Sequence, residues 1–569
     1  MYQQVLDPVS DSLAWSSLFA AIPLVVLFVL LGGLRVTAWV SALVALLAAL
    51  GVAVLVYPMP TDQALLAASE GAVFGFFPIM WIVINALWIY NMTVVTGHFD
   101  VLRRSFSKVS PDQRIQAVII AFCFGALLEA LAGFGTPVAI TSVMLIALGF
   151  RPIKAATVAL VANTAPVAFG ALAVPITTLA PIAGLPEQDI ASMVGRQTPL
   201  LALFVPMALV FIIDGSRGVR ATLPATLTCG VTFAVAQYVT SNYISIPLTD
   251  IIASLVSALS VVLLLRVWQP SDTYVEADET EDEVDTKAAR ASRRGGDDAE
   301  ARHAQDAAVR VASRDDADHE DPPIEVLRAY APYLIIIAVL VFTQLPGLKD
   351  VFDAPTKLFN WPGLHVTNPS GDPLSSLEFK FNWLNAVGTL LVFSGILTIF
   401  AIGISPAKAF KAWLDTWRQL LTAIVTVMAV LALAYVMNDS GQTGTLGNWM
   451  AGAGAAFALI SPVLGWLGVA VTGSDTSSNA LFGALQVTAA HQAGLDPTLM
   501  ASSNSSGGVL GKMISPQNLA IAAAVVGMEG KESVLFRKVI WWSLGLLLGM
   551  CTLVYLQSTD VLGWMVVTP

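Results

Sequence analysis

The stretch Leu127–Pro137 reads LLEALAGFGTP. One carboxylate, Glu129, stands at the end of a long apolar run, and Gly133, Gly135 and Pro137 follow it closely. Glycine adds backbone freedom and proline removes a hydrogen-bond donor, so a cluster this dense breaks a helix. Apolar sequence then resumes as far as Gly149. A charge within such a run is costly in lipid and marks a functional position. A broken helix with an ionisable group at membrane depth is the pattern of a transport site. Glu129 is therefore the candidate proton carrier, and Gly133, Gly135 and Pro137 are the candidate helix-break residues.

The rest of the chain supplies the membrane. Its 569 residues are 56% hydrophobic and 12% charged, with a mean hydropathy of +0.73. Soluble globular domains carry about 25% charged residues. Apolar runs near the length of a span lie at 13–31, 36–57, 73–96, 115–132, 155–180, 198–213, 220–241 and 249–268. They resume at 329–345, 381–404, 419–437, 455–472, 499–526 and 539–557, with shorter segments at 136–149 and 476–490 as half-spans or re-entrant arms. The expected fold is an all-α polytopic membrane protein of about 12–16 membrane segments, some of them broken or re-entrant. MYQQVLDPVSDS has no basic leader, so the first run is expected to be a retained span. Cys123, Cys229 and Cys551 lie in apolar runs without metal or disulfide spacing and read as small buried residues.

The net charge of −11 is concentrated between Ser271 and Asp321, where 17 Asp and Glu face 7 Lys and Arg. That composition reads as a solvated, disordered linker. The expected organisation is an N-terminal transmembrane repeat, 1–268, an acidic linker, 269–323, and a C-terminal transmembrane repeat, 324–569. Short loops rich in Lys and Arg favour the cytoplasm. Arg35, Arg103, Arg104, Lys108, Arg114, Arg151, Lys154, Arg217, Arg220, Lys408, Lys411, Arg418, Lys531, Arg537 and Lys538 then fall inside. Both termini and the loop 346–380 fall outside, and the linker is cytoplasmic. Glu70 reads as interfacial, His98 as solvated and Asp439 as part of an outer polar loop.

The two halves carry a faint internal match. Asn163 opens NTAPVAFG and Asn504 opens NSSGGVLG; Gly170 and Gly511, and Pro175 and Pro516, share their separation. The loops that flank these elements are assigned to opposite sides. The expected architecture is two inverted-topology repeats, which suits alternating access.

Three further stretches carry polar groups. GSDTSSNALFG, from Gly473 to Gly483, places Asp475, Ser477, Ser478 and Asn479 at a second break, marked by Gly473. Non-helical backbone at membrane depth lines a wet cavity or is buried in protein. Asp475 adds a second proton or cation group. ASSNSSGGVLGKMISPQN, from Ala501 to Asn518, supplies Ser503, Asn504 and Ser505. There Gly507 and Gly508 are expected to unwind and offer N–H groups to an anion. Its lysine, Lys512, needs a partner in the membrane, either a substrate carboxylate or Asp475 or Glu129 in the empty site. Asn163 and Thr164 are the first-half counterparts. Sequence patterns for a metalloprotease, a nucleotide-binding loop or a catalytic triad are absent, which argues against an enzyme and against ATP as the energy source. No cofactor, metal or nucleic acid is implied.

LLEALAGFGTPVAI (Leu127–Ile140), GSDTSSNALFGALQ (Gly473–Gln486) and NSSGGVLGKMISPQNLAIA (Asn504–Ala522) resemble the lactate permease family of secondary transporters. Their order, the chain length and the span count are similar to that family, and the acidic linker is the clearest departure. The resemblance implies a plasma-membrane permease that takes up a small 2-hydroxymonocarboxylate, lactate above all and also glycolate, by proton symport. Lys512 would meet the substrate carboxylate, and Ser477, Ser478, Asn479 and Asn504 its hydroxyl. Sodium coupling of a different carboxylate is the alternative, because Asp475 and nearby hydroxyls suit Na⁺ as well as a proton.

Overall fold

The computed structural model describes residues 2–107, 110–131, 133, 135–276, 321–343, 345, 347–374, 377–528 and 531–567. The expected disorder of the linker concerns 277–320, outside the described residues, as is Lys108. Among the described residues nine helices are long and apolar enough to cross a bilayer, or ten if the bent pair Pro152–Ala162 and Val167–Ala183 forms one span. Thr136–Ala147, Thr249–Leu265 and Val387–Ala401 are shorter apolar helices. Among the described residues strand is confined to two small ribbons, in which Tyr2 pairs with Val366 in parallel and Lys357 with Phe381 in antiparallel register. The chain is thus an all-α polytopic membrane protein.

Several boundaries differ from the sequence expectation, each for a physical reason. The runs 198–213 and 220–241 belong to one helical element, Glu187–Val239. A straight helix of that length would measure about 80 Å, far more than one bilayer crossing. The chain turns at Asp214 and Gly215, and Gly215 takes φ 63° and ψ −158°, a conformation open essentially to glycine alone. The segment 476–490 is part of the continuous helix Asp475–Ala493. The run 499–526 is interrupted at Lys512–Ile514. Glu70 and Asp439 are buried within helices rather than interfacial or in a loop.

Ion pairs join several of the charged loops. Arg114, fully buried, binds Asp112 at 2.7 Å, Asp214 at 2.9 Å and Asp272 at 3.3 Å. Its guanidinium, with Arg217 at 3.1 Å, holds the Asp272 carboxyl below the usual range. Glu276 meets Lys154 at 2.7 Å, and Arg104 meets Asp321 at 2.7 Å. The first linker residues are therefore strapped to the base of the Gln113–Leu131 span, with the Tyr274 ring 5.6 Å from Arg114. His98 is buried rather than solvated; burial pushes its imidazole pKa down, against the pull of Glu325 at 3.4 Å.

Candidate functional site

Glu129 lies in the last turn of the helical segment Gly125–Leu131. Gly133 and Gly135 take left-handed φ values of 49° and 77°, and Pro137 opens the next helix, Thr136–Ala147. A side chain at Gly135 would collide with Ile521 of the second half, so this glycine provides both the turn and the close approach. Asn163 closes the helix Pro152–Ala162 and donates to Glu129 Oε2 at 3.0 Å. Beyond it the chain bends by 63°. Ala171, Leu172 and Ala173 then follow in left-handed conformation, with φ of 45°, 59° and 63°. Thr164 is turned inward to the Val161 carbonyl at 2.7 Å.

In the second half, Gly473 ends one helix in left-handed conformation. Ser474 caps the next, accepting from the Ser477 amide at 3.2 Å. The polar string is therefore a helix N-terminus, not an unwound loop. Asp475 accepts from Ser505 Oγ at 2.6 Å and from Asn479 at 3.4 Å. Asn479 also donates to the Pro175 carbonyl at 3.2 Å, which ties the two halves together. Asn504 donates to Asn479 Oδ1 at 2.9 Å and accepts from Gln486 at 3.2 Å. Gln486 accepts from Ser461 at 2.7 Å, and Ser461 meets Ser503. Ser478 donates to the Gly465 carbonyl at 3.1 Å. Buried amide and hydroxyl groups satisfied in this way form a stiff network.

The unwound turn expected at Gly507 and Gly508 is absent. Pro497–Gly511 is one helix, and its amides serve its own ladder. A side chain at Gly507 would strike the Pro462 carbonyl, at Gly511 that of Trp466, and at Gly465 that of Asn504. These glycines let two helices touch backbone to backbone. Gly508 makes room for Asp475 Oδ1.

Lys512 lies just past that helix, in a single 3-10 turn, Lys512–Ile514. Its ammonium forms a buried ion pair with Glu129 Oε1. A cavity of about 1010 Å³ opens beside the pair. Glu129, Asp475, Ser477 and Lys512 line it, with Ala171, Val174 and Pro175 as an apolar wall and the exposed Arg35, Trp39 and Phe536 also on its lining. Asn163, Asn479 and Ser505 stand behind the lining, bonded to Glu129 or Asp475, whereas Thr164, Ser478, Ser503 and Asn504 are buried outside it. Two helices, Asp475–Ala493 and Pro516–Val525, present their N-terminal residues to the cavity, and Gly135, the residue that precedes Thr136–Ala147, also lines it. Such ends carry unpaired N–H groups and partial positive charge, so the site suits an anion. Sequence reading passed over Gln517 and Asn518, which also line it. The signal was present, since Ser515 and Pro516 form a capped helix start.

A family model described as L-lactate permease matches residues 16–560. The chain belongs to the L-lactate permease family. It is 40% identical over 580 residues to the L-lactate permease of Salmonella typhimurium, covering 100% of both chains. Identity is 38% over 590 residues to that of Bacillus subtilis, covering 99% of this chain and 100% of the relative. The Glycolate permease GlcA of Escherichia coli is 40% identical over 552 residues, 94% of each chain. Membership makes this chain a membrane permease rather than an enzyme, and the long motif strings around Glu129, Asp475 and Lys512 fall inside the matched region of the family.

Proposed function

We propose that the protein takes up L-lactate, and related small 2-hydroxymonocarboxylates such as glycolate, by proton symport with alternating access across the plasma membrane. The observation that carries this reading is the buried Lys512–Glu129 pair on the wall of a cavity that also receives the N-termini of two helices. A monocarboxylate takes Glu129's place on Lys512, and its hydroxyl meets Ser477 and the polar groups around it. The names of the relatives supply the substrate class.

Charge counting supports one proton per substrate. Fully ionised, Glu129, Asp475 and Lys512 leave the empty cavity one negative charge from neutrality. A bound monovalent anion makes that two. Uncompensated charge at membrane depth costs several kcal/mol. If both states are neutral, they differ by one proton, which Glu129 takes up once Lys512 has turned to the substrate.

Alternating access is supported by the pairing of the halves. Thr136–Ala147 packs on Pro516–Val525, and Asp475–Ala493 packs on Gly170–Ala183, as an exchange between two inverted repeats would require. Exposed residues line the cavity at Arg35, whose loop the basic-residue pattern places in the cytoplasm. The same pattern places the termini outside and the linker inside. In favour, Tyr2 pairs with Val366 of the loop 346–380, while Arg104, Arg114 and Lys154 share the linker's ion pairs.

Uptake of radiolabelled L-lactate into proteoliposomes under separately imposed pH and sodium gradients tests the reading. Accumulation is expected with the pH gradient alone. Accumulation that follows sodium at constant pH, or equilibration without accumulation, would overturn it.

A further inference from the structure

One buried carboxylate takes no part in the cavity. Asp250, fully buried, lies in the first turn of Thr249–Leu265, and that helix packs directly against Gly125–Leu131, which carries Glu129. The two carboxylates therefore stand on helices that are in direct contact. Asp250 Oδ1 accepts from Gln237 Nε2 at 2.8 Å, and the same amide reaches the Ala165 carbonyl at 3.5 Å. Ala165 lies in the break opened by Asn163, the residue that donates to Glu129. The break thus sits between two carboxylates, Glu129 on one side and Asp250 on the other. Two buried oxygens there, Asp250 Oδ2 and Asn163 Oδ1, have no hydrogen-bond partner among the described residues. Both are acceptors as long as Asp250 is ionised, and a proton on Oδ2 turns one of them into a donor.

Among the described residues no cation is placed to offset Asp250. Among the elements packed on its helix, Gly125–Leu131 contributes Glu129, and Val118–Phe124 contributes Cys123. The long helix contributes Cys229 beside the neutral Gln237 and Thr198, and turns Arg196 away to Asn242 and the Met565 carbonyl. Thr240–Ile244 contributes the solvent-facing Tyr243, and Gly170–Ala183 no ionisable side chain. Charge neutrality then gives Asp250 a proton in the resting state.

We propose that Asp250 is the internal proton donor to Glu129, a role that rests on the symport reading above. When a substrate carboxylate takes Lys512, Glu129 loses its counter-charge. The Asp250 O–H bond breaks, a bridging water carries the proton, and an O–H bond forms on Glu129. Asp250 regains its proton from solvent later in the cycle. Because the donor is refilled, the net coupling stays at one proton per substrate.

The test compares pH-driven net uptake of L-lactate with lactate–lactate exchange in proteoliposomes of the full chain. Exchange needs no net proton movement. In Asp250→Asn the ratio of net uptake to exchange is expected to fall by about tenfold or more, the scale of a lost proton-transfer group, and Asp250→Glu to recover most of it. Equal loss of both activities, or an unchanged ratio, would overturn the proposal. If Asp250→Asn does not fold, Gln237→Met decides: it leaves the carboxyl but cuts its tie to the break, and a wild-type ratio would reject the link. Wild-type protein that ignores the pH gradient would instead refute symport itself.

Discussion

Between Ala162 and Val174 the first half loses its helix over a long stretch, bends by 63° and passes through three left-handed residues. Between Gly511 and Pro516 the second half makes do with one 3-10 turn. Pro175 and Pro516 close the two breaks at matching positions, yet the first carries no charge and the second carries Lys512. The first half supplies Glu129 from a different element, next to its bend. The second half supplies the cation and most of the satisfied polar network. On the proposed mechanism, substrate affinity and coupling fall on opposite sides of one cavity, and the side proposed to carry the coupling group is the one with irregular backbone.

The sharpest way to break this division is to remove the cation. Lys512→Ala is expected to raise the KM for L-lactate by about two orders of magnitude and, by stranding the Glu129 charge, to destabilise the fold by about 3–5 kcal/mol. Adding Glu129→Gln should restore the thermal midpoint and leave the KM high. Recovery of affinity in the double variant would show that the two halves are not specialised. Glu129→Gln alone should lower the accumulation ratio by at least about tenfold while exchange persists; concentrative uptake at the wild-type level would remove its coupling role.

Smaller effects separate rigid from deformable backbone. Gly507→Val pushes a side chain into the Pro462 carbonyl. It should cost about 1–3 kcal/mol, read as a lower thermal midpoint in detergent. Ala171→Gly should do the reverse, since a left-handed alanine is strained by about 1–2 kcal/mol and glycine relieves part of that. A midpoint that falls in Ala171→Gly would mean that the left-handed turn is not strained in this state.

How far the sequence led depended on the kind of signal. Glu129, Gly135 and Gly473 were legible because a charge or a glycine cluster stands out inside apolar runs. The Lys512–Glu129 contact was one of the pairings expected, because a lysine in lipid must find an anion. Gly507 and Gly508 misled, since a glycine pair marks either a loose turn or a close approach, and only the neighbouring helix decides which. Asp250 escaped notice because a lone aspartate at a helix start reads as an ordinary favourable end charge. The buried Glu70 was hidden by its place near the start of a span.

The backbone contact between Phe457–Thr472 and Pro497–Gly511 has a mechanical meaning. With Gly465, Gly507 and Gly511 removing the spacing that side chains would impose, the two helices meet backbone to backbone along one surface. On the proposed alternating access they would move as a single plank and carry Asn504 and Ser505 with them. A plank cannot flex at its middle, so any motion that exposes Lys512 to the opposite side of the membrane has to be taken up at its edges. One such edge is the bend at Asn163, where the chain has already given up its helix.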